Sequence, residues 1–313
     1  MERAPFYNDI TDGSEASVYW LSTSDGVRIR LGVWPNGTTK ATKGTILIFP
    51  GRTEYIEKYA HLADPLAQEG FTMIAIDWRG QGIADRLLDN PLIGHVDRFP
   101  DYQKDVAAVL TALAELNLPK PYYLLGHSMG AAIGIRALKE GLPVNAASFC
   151  APMWGIGLAR VTRSLGWLLS SLSKRLGLSA IRSPGTCPKP KILRRKFEGN
   201  TFTSDRTMFD MVHNQVSTHP ELGLAGPSLS WFYESLKECK LFHEWDKPPV
   251  PTFVLLGTDE DIVDCAPIHT LCKKWGNASL RMLKAARHEI LIETPALQKE
   301  AISSIVAHFN MHR

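Results

Sequence analysis

No stretch of about 18 apolar residues free of charge occurs anywhere in the chain, so no transmembrane helix is expected. Cysteine is sparse: five in 313 residues, Cys150, Cys187, Cys239, Cys265 and Cys272, with no Cys-x-x-Cys. The odd count and the missing pair exclude a disulfide framework and a zinc ribbon, and they imply free thiols in a reducing compartment. Neither sign of charge dominates. Lys plus Arg number 35 and Asp plus Glu 32, a net charge of +3, which argues against a dedicated nucleic-acid binder. The opening residues Met1-Glu2-Arg3-Ala4-Pro5-Phe6 lead into a polar, acidic stretch and not into a basic segment followed by an apolar one. No signal peptide is expected, and the cytoplasm is the expected compartment, with peripheral membrane contact open. There is no internal repeat and no low-complexity segment.

The composition that remains is that of a folded enzyme-sized domain. Apolar residues make up 44% and charged residues 21%, which excludes disorder, collagen and coiled coil. The length fits one large α/β unit, or one such unit plus an inserted subdomain. Residues 17–34 alternate around Ser24-Asp25-Gly26 and predict a hairpin. Short apolar runs bounded by turn residues follow at Thr45–Phe49, Phe71–Ile76, Tyr122–Leu125, Val144–Cys150 and Thr252–Leu256, with a weaker one at Ser279–Leu283. Continuous apolar runs separated by helical stretches indicate a parallel sheet covered on both faces. Helices are predicted over Asp101–Leu116, Met129–Lys139 and Pro295–Phe309, the last with Thr294 as N-cap and Pro295 in first position. Glu54–Gln68 also reads as helical, with a break or kink at Pro65. The rhythm lapses from Ala151 to Glu238, which reads as a mostly helical insertion. The expected division is therefore a core of residues 1–150 and 239–313 and a cap of residues 151–238.

One turn carries chemistry. Gly126-His127-Ser128-Met129-Gly130 is a Gly-x-Ser-x-Gly pentapeptide between a predicted strand and a predicted helix. Such a turn is so tight that the residues two before and two after the serine must be small. It exposes the hydroxyl and aims the N–H groups of the following helix at a developing oxyanion.

With this elbow the chain resembles the α/β-hydrolases, and within them the monoacylglycerol lipase and lysophospholipase L2 group of serine hydrolases. Phe49-Pro50-Gly51-Arg52-Thr53-Glu54 stands where relatives have a His-Gly-x turn, with Pro50 in place of the histidine. Asp77-Trp78-Arg79-Gly80-Gln81-Gly82 matches their Asp-x-Arg-Gly-x-Gly turn. The resemblance runs from about residue 17 to the C-terminus. It implies a mostly parallel eight-stranded sheet flanked by helices with an inserted helical cap. It also implies Ser128 as nucleophile and backbone amides of Met129 and Arg52 as the oxyanion hole. The Arg52 side chain is expected in a surface ion pair with Glu54 or Glu57; contact with an anionic substrate group is the alternative.

The family position for the base, after the last strand, falls on His288 in Ala285-Ala286-Arg287-His288-Glu289. His308 and His312 lie in or beyond the final helix and are expected to be solvated. His127 is too close to Ser128 in the chain to serve as its base. His288-Glu289 does not begin a His-Glu-x-x-His zinc site, because Ile292 holds the last place. The acid lies in Gly257-Thr258-Asp259-Glu260-Asp261, where the resemblance selects Glu260, three residues after the glycine; a shift of one residue would select Asp259 or Asp261. Asp264 reads as a helix N-cap.

The segment 151–238 falls where the family carries its lid. Trp154, Leu158, Leu165, Trp167, Leu168, Leu169, Leu172, Leu176 and Leu178 make it apolar, which suits either an acyl chain or packing of the cap onto the core, and Trp231 and Phe232 are expected to cover the pocket from the far side. Its charge is uneven. From Ala151 to Phe197 there is no Asp or Glu, but there are ten Lys and Arg residues (Arg160, Arg163, Lys174, Arg175, Arg182, Lys189, Lys191, Arg194, Arg195, Lys196). That +10 leaves −7 for the rest of the chain, and it suits either a solvated basic face or contact with an anionic lipid surface or a lysophospholipid phosphate. The resemblance implies cleavage of a lipid carboxylic ester, a monoacylglycerol or lysophospholipid, with no metal or organic cofactor. A short-chain carboxylesterase or thioesterase is the alternative, and a non-catalytic binding protein the third reading. Serine at position 128 speaks against dehalogenases and epoxide hydrolases, which need a carboxylate nucleophile.

Overall fold

The computed structural model describes residues 1–37, 42–157, 173 and 176–313. Eight strands form one sheet: β1 (Ser17–Ser22), β2 (Arg28–Trp34), β3 (Gly44–Phe49), β4 (Phe71–Asp77), β5 (Tyr122–His127), β6 (Ala146–Cys150), β7 (Thr252–Gly257) and β8 (Ala278–Leu283). Their order is β1-β2-β4-β3-β5-β6-β7-β8. The first two pairings, β1 with β2 and β2 with β4, are antiparallel, and the rest are parallel.

The apolar runs are explained by burial on two faces. In β3, Leu47 and Phe49 enter one core, and Ile46 and Ile48 enter the other; Leu124 and then Tyr123 and Leu125 divide the same way in β5. A central strand covered on both sides has no polar face to alternate with. The edge strand β8 differs: it is mostly half-buried or exposed, which is why its sequence signal is weak.

Helices α1 (Ala63–Gln68), α2 (Tyr102–Glu115), α3 (Met129–Lys139), α4 (Arg206–Thr218), α5 (Leu229–Phe242), α6 (Cys265–Trp275) and α7 (Pro295–Met311) complete the described elements together with short 3-10 turns. Pro65 neither breaks nor kinks a helix. A 3-10 turn over Ile56–Leu62 passes into α1 at Ala63, and Pro65 sits in the first turn, where an N–H is not needed. Asp264 caps α6 by accepting from the Ala266 N–H at 3.2 Å. Thr294 precedes α7 with Pro295 in first position, but its side chain makes no capping bond.

Between β6 and β7 the described residues hold α4, α5 and 3-10 turns and no strand of the sheet. Residue 238, the expected end of the cap, lies inside α5, and the chain rejoins the sheet at Thr252. Leu158, Leu165, Trp167, Leu168, Leu169, Leu172, Arg160, Arg163, Lys174 and Arg175 lie outside the described residues.

Candidate active site

The nucleophile elbow is a product of glycine sterics. Ser128 has φ 48° and ψ −115°, between the end of β5 and the start of α3. A Cβ on Gly126 would come 2.9 Å from the Ala131 Cα, and one on Gly130 would overlap the Phe49 carbonyl. Only glycines let α3 pack this closely across the turn.

The late loops meet the elbow from the other side. His288 follows β8, and its Nε2 lies 3.0 Å from the Ser128 Oγ. Its Nδ1 lies 2.8 Å from Oε2 of Glu260. The other Glu260 oxygen accepts the Ile262 N–H at 2.6 Å and the Val263 N–H at 3.1 Å. Burial opposes ionisation of Glu260, but the hydrogen bond and charge of His288 and the two amides outweigh it, and its pKa falls below the usual carboxylate range. Of the flanking acids, Asp259 accepts instead from Thr258 Oγ1 at 3.0 Å. The structure thus brings Ser128, His288 and Glu260 into one hydrogen-bonded chain.

The loop after β3 is held by the turn after β4. Gln81 accepts the Thr53 N–H and donates to the Gly51 carbonyl, both at 3.0 Å, so it brackets Arg52. Trp78 Nε1 donates to the Pro50 carbonyl at 2.9 Å. Asp77 accepts from Ile56 N–H and from Arg30, a fully buried guanidinium that also bonds Glu57. Among the described residues, neither the Arg52 nor the Met129 backbone N–H donates to a protein acceptor.

Glu54 and Glu57 therefore have partners other than Arg52, and the expected surface ion pair is replaced. Arg52 is half-buried, donates from Nη2 to the Ala225 carbonyl at 2.6 Å, and lies over the Trp231 ring with Cζ 5.1 Å from its centroid. Glu54 bonds Lys58 at 2.7 Å and Tyr59 at 2.5 Å, and it accepts the Gly51 N–H.

Behind the elbow is a buried ionic quartet that the sequence reading missed. Lys58 Nζ bridges Glu54 at 2.7 Å and Glu289 at 2.8 Å. The His127 Nε2 faces the same two carboxylates at 3.4 and 3.2 Å. Its Nδ1 is 3.1 Å from the Cys150 carbonyl, which can only accept, so Nδ1 carries a proton. Burial works against charge on His127, but Glu54 and Glu289 outweigh it and raise its pKa. Burial likewise opposes the Glu289 carboxylate, which Lys58 and His127 nonetheless hold well below the usual range. The His127 and His288 rings are 4.9 Å apart by centroids. Glu54, His127 and Glu289 have the spacing of a metal site, with ligand atoms within 4.8 Å of one another. Lys58 already stands between the carboxylates and matches their charge together with His127, so the donor set does not suit a metal ion. The one sequence signal was the Glu54-x-x-x-Lys58 spacing, and such pairs are ordinarily on helix surfaces.

A cavity of about 670 Å³ opens onto Ser128 and His288. Trp231 and Phe232 line it, as do Met153, Ile156, Phe209 and Val216. Trp154 does not. It is fully buried in the core between Phe149 and Trp275, at centroid distances of 5.5 and 5.1 Å. His308 is also corrected: it is buried, against Phe253 and Phe309, because α7 turns that face onto the sheet.

The sequence profile of the family described as "Serine aminopeptidase, S33" matches residues 40–295. The chain belongs to this family of α/β hydrolases. Among curated proteins it is 32% identical to lysophospholipase L2 of Escherichia coli (strain K12) over 281 residues, covering 85% of this chain and 80% of that protein. It is 28% identical to a probable lysophospholipase L2 of Haemophilus influenzae, with 86% and 84% covered. Among solved structures, a soluble variant of monoglyceride lipase from Saccharomyces cerevisiae with a substrate analog superposes at a TM-score of 0.76 and 16% identity, covering 99% of this chain and all of that one. A carboxyl esterase from Bacillus coagulans gives 0.72 at 14% identity, with 96% and 99% covered. These two likenesses establish the shared fold. The family member described here has its hydroxyl, imidazole and carboxylate at the C-terminal ends of the strands, as in other open α/β sheets.

Proposed function

We propose that this hydrolase cleaves the acyl ester of single-chain glycerolipids, lysophospholipids or monoacylglycerols, through an acyl-enzyme on Ser128. The observation that carries it is the Ser128–His288–Glu260 chain opening into a cavity with apolar walls. His288 accepts the Ser128 proton as Oγ attacks the ester carbonyl. Glu260 holds Nδ1–H and so presents Nε2 as the base, and its charge stabilises the imidazolium. The backbone N–H groups of Met129 and Arg52 receive the oxyanion. His288 returns the proton to the leaving glycerol oxygen, and water then resolves the acyl-enzyme by the same steps. The Met153, Ile156, Phe209 and Val216 walls suit the acyl chain.

The family's description also names aminopeptidases. An aminopeptidase needs a free carboxylate for the substrate ammonium group. In this cavity Glu54 and Glu289 are tied to Lys58, and its other charged walls are cations, which favours the lipid ester. The relatives named lysophospholipase L2 support the same choice.

The basic cap edge is proposed to rest on an anionic lipid surface. Leu176, Leu178 and Ile181 are exposed at 61%, 46% and 51%, beside Arg182. The main chain there is anchored, the Ile181 carbonyl accepting the Leu229 N–H at 2.9 Å. Apolar tips among cations are the arrangement by which a peripheral protein seats on a membrane. Among the described residues no helix is long and apolar enough to cross one.

The deciding experiment is fluorophosphonate labelling of wild type and Ser128→Ala. It is accompanied by turnover of lysophosphatidylglycerol, lysophosphatidylcholine, monoacylglycerol and a chain-length series of p-nitrophenyl esters. Labelling of wild type alone, with turnover of the long-chain lipids, is the expected result. Unlabelled wild type would sink the catalytic reading, and activity confined to short esters would sink the lipid one.

A further inference from the structure

The cavity's charge is one-sided, and the acyl-enzyme mechanism does not use it. Six cationic side chains line the cavity (Arg52, Lys58, Lys189, Lys191, Arg194, Arg195) against two carboxylates, Glu54 and Glu289, both bonded to Lys58. Among the described residues, Arg52, Lys191 and Arg195 form no ion pair. Lys191 Nζ and Arg195 Cζ lie 5.0 and 6.0 Å from the centroid of the Phe202 ring. The Phe202 carbonyl accepts the Glu289 N–H at 2.8 Å, so this pair of cations is tied to the residue next to His288. Arg52 stands on the elbow side, one residue beyond Gly51, with its Nε buried and without a partner and only Nη2 committed, to Ala225.

We propose that Arg52, Lys191 and Arg195 form a subsite for the phosphodiester of a lysophospholipid whose headgroup is net anionic. This rests on the lipid-ester reading above and narrows it. Two aromatic rings, Trp231 under Arg52 and Phe202 beside Lys191 and Arg195, hold the cations without neutralising them. Arg195 donates from Nη1 to Thr201 Oγ1 at 3.3 Å, and the guanidinium donors that it and Arg52 leave over are suited to phosphate oxygens, which accept several charge-assisted bonds at once. The cations also crowd one another. Burial, then Arg195 and Arg52, hold the Lys191 ammonium below its ordinary range, and Asp261 is the carboxylate that works against them. An incoming phosphodiester relieves that repulsion, while the quaternary ammonium of a zwitterionic headgroup meets it. The subsite is reached through the glycerol when the ester carbonyl sits at Ser128, so headgroup charge is read on the leaving-alcohol side of the bond that is cut.

The test uses octanoyl lysophosphatidylglycerol, lysophosphatidylcholine and monoacylglycerol below their micellar concentrations, so that no lipid surface contributes. Wild type is expected to turn over lysophosphatidylglycerol with kcat/KM about tenfold or more above monoacylglycerol, with lysophosphatidylcholine between them. In Lys191→Gln/Arg195→Gln the ratio is expected to fall by about tenfold. In the charge-conserving Lys191→Arg/Arg195→Lys most of it returns, which a merely structural role would not produce. The wild-type ratio should also shrink between about 0.05 and 0.5 M salt, a reading that needs no variant to fold. Equal turnover of the anionic and uncharged lipids, or a ratio unmoved by both the Gln variant and salt, overturns the subsite and leaves the lipid-ester reading standing. No turnover of any of the three lipids beside active p-nitrophenyl butyrate hydrolysis overturns both.

Discussion

Glu260 accepts two backbone N–H groups with one oxygen and His288 with the other, so its side chain has no freedom to serve elsewhere. Glu260→Gln keeps the shape but offers His288 an amide whose N–H cannot accept from Nδ1. The expected loss in kcat is about 10³- to 10⁴-fold, whereas Asp259→Asn stays near wild type; steady-state kinetics on a p-nitrophenyl ester separates them. His127 makes a different prediction, about stability. Its folded pKa lies above the ordinary 6.5, so its contribution is complete below about 6.5 and is lost as pH rises through the raised folded value. Glu289 has the opposite sign: its folded pKa is depressed from 4.5, so its contribution is complete above about 4.5 and is lost as pH falls. Wild-type Tm is therefore expected to decline from about pH 6.5 upward, and His127→Gln to lose that slope, by calorimetry across about pH 6 to 9. Parallel slopes in the two proteins would refute the charged His127.

At the scale of elements, the elbow depends on how closely α3 crosses the end of β3. A Cβ at position 130 would overlap the Phe49 carbonyl, a backbone atom held in the centre of the sheet between β4 and β5. Gly130→Ala is expected to lower Tm by roughly 5 °C or more and to abolish fluorophosphonate labelling, because α3 must move away from the oxyanion loop. A folded, fully labelled variant would show that the loop has slack. This closeness was legible in Gly126-x-Ser128-x-Gly130, since turn sterics are local. So were the strands: an apolar run such as Thr45–Phe49 reports burial on both faces wherever the strand ends up in the sheet. The Pro65 expectation failed because one proline fits the first turn of a helix as readily as it breaks the middle of one, and position within the helix is settled by the 3-10 turn before it.

For the whole molecule, the net charge of +3 conceals +10 over residues 151–197 and −7 over the remainder. If the exposed Leu176, Leu178 and Ile181 seat on lipid, the protein should co-sediment with phosphatidylglycerol vesicles at about 0.05 M salt and be released by about 0.5 M. Leu178→Asp/Ile181→Asp should not bind, and phosphatidylcholine vesicles should retain little of the wild type. Binding that ignored lipid charge and salt would rule out the electrostatic part of the contact.

What the sequence determined by itself is what local physics encodes: the strands through their apolar runs, the elbow through its glycines, and the chain order of Ser128, an acidic turn and His288. Tertiary structure decided the partners. It set Glu260, of three adjacent acids, within 2.8 Å of His288 Nδ1. It sent Trp154 into the core and not to the cavity, and it paired Lys58 with Glu289 across 231 residues. Burial of a charge is a property of the space around it, and that space is assembled from segments that carry no mark of one another in the chain.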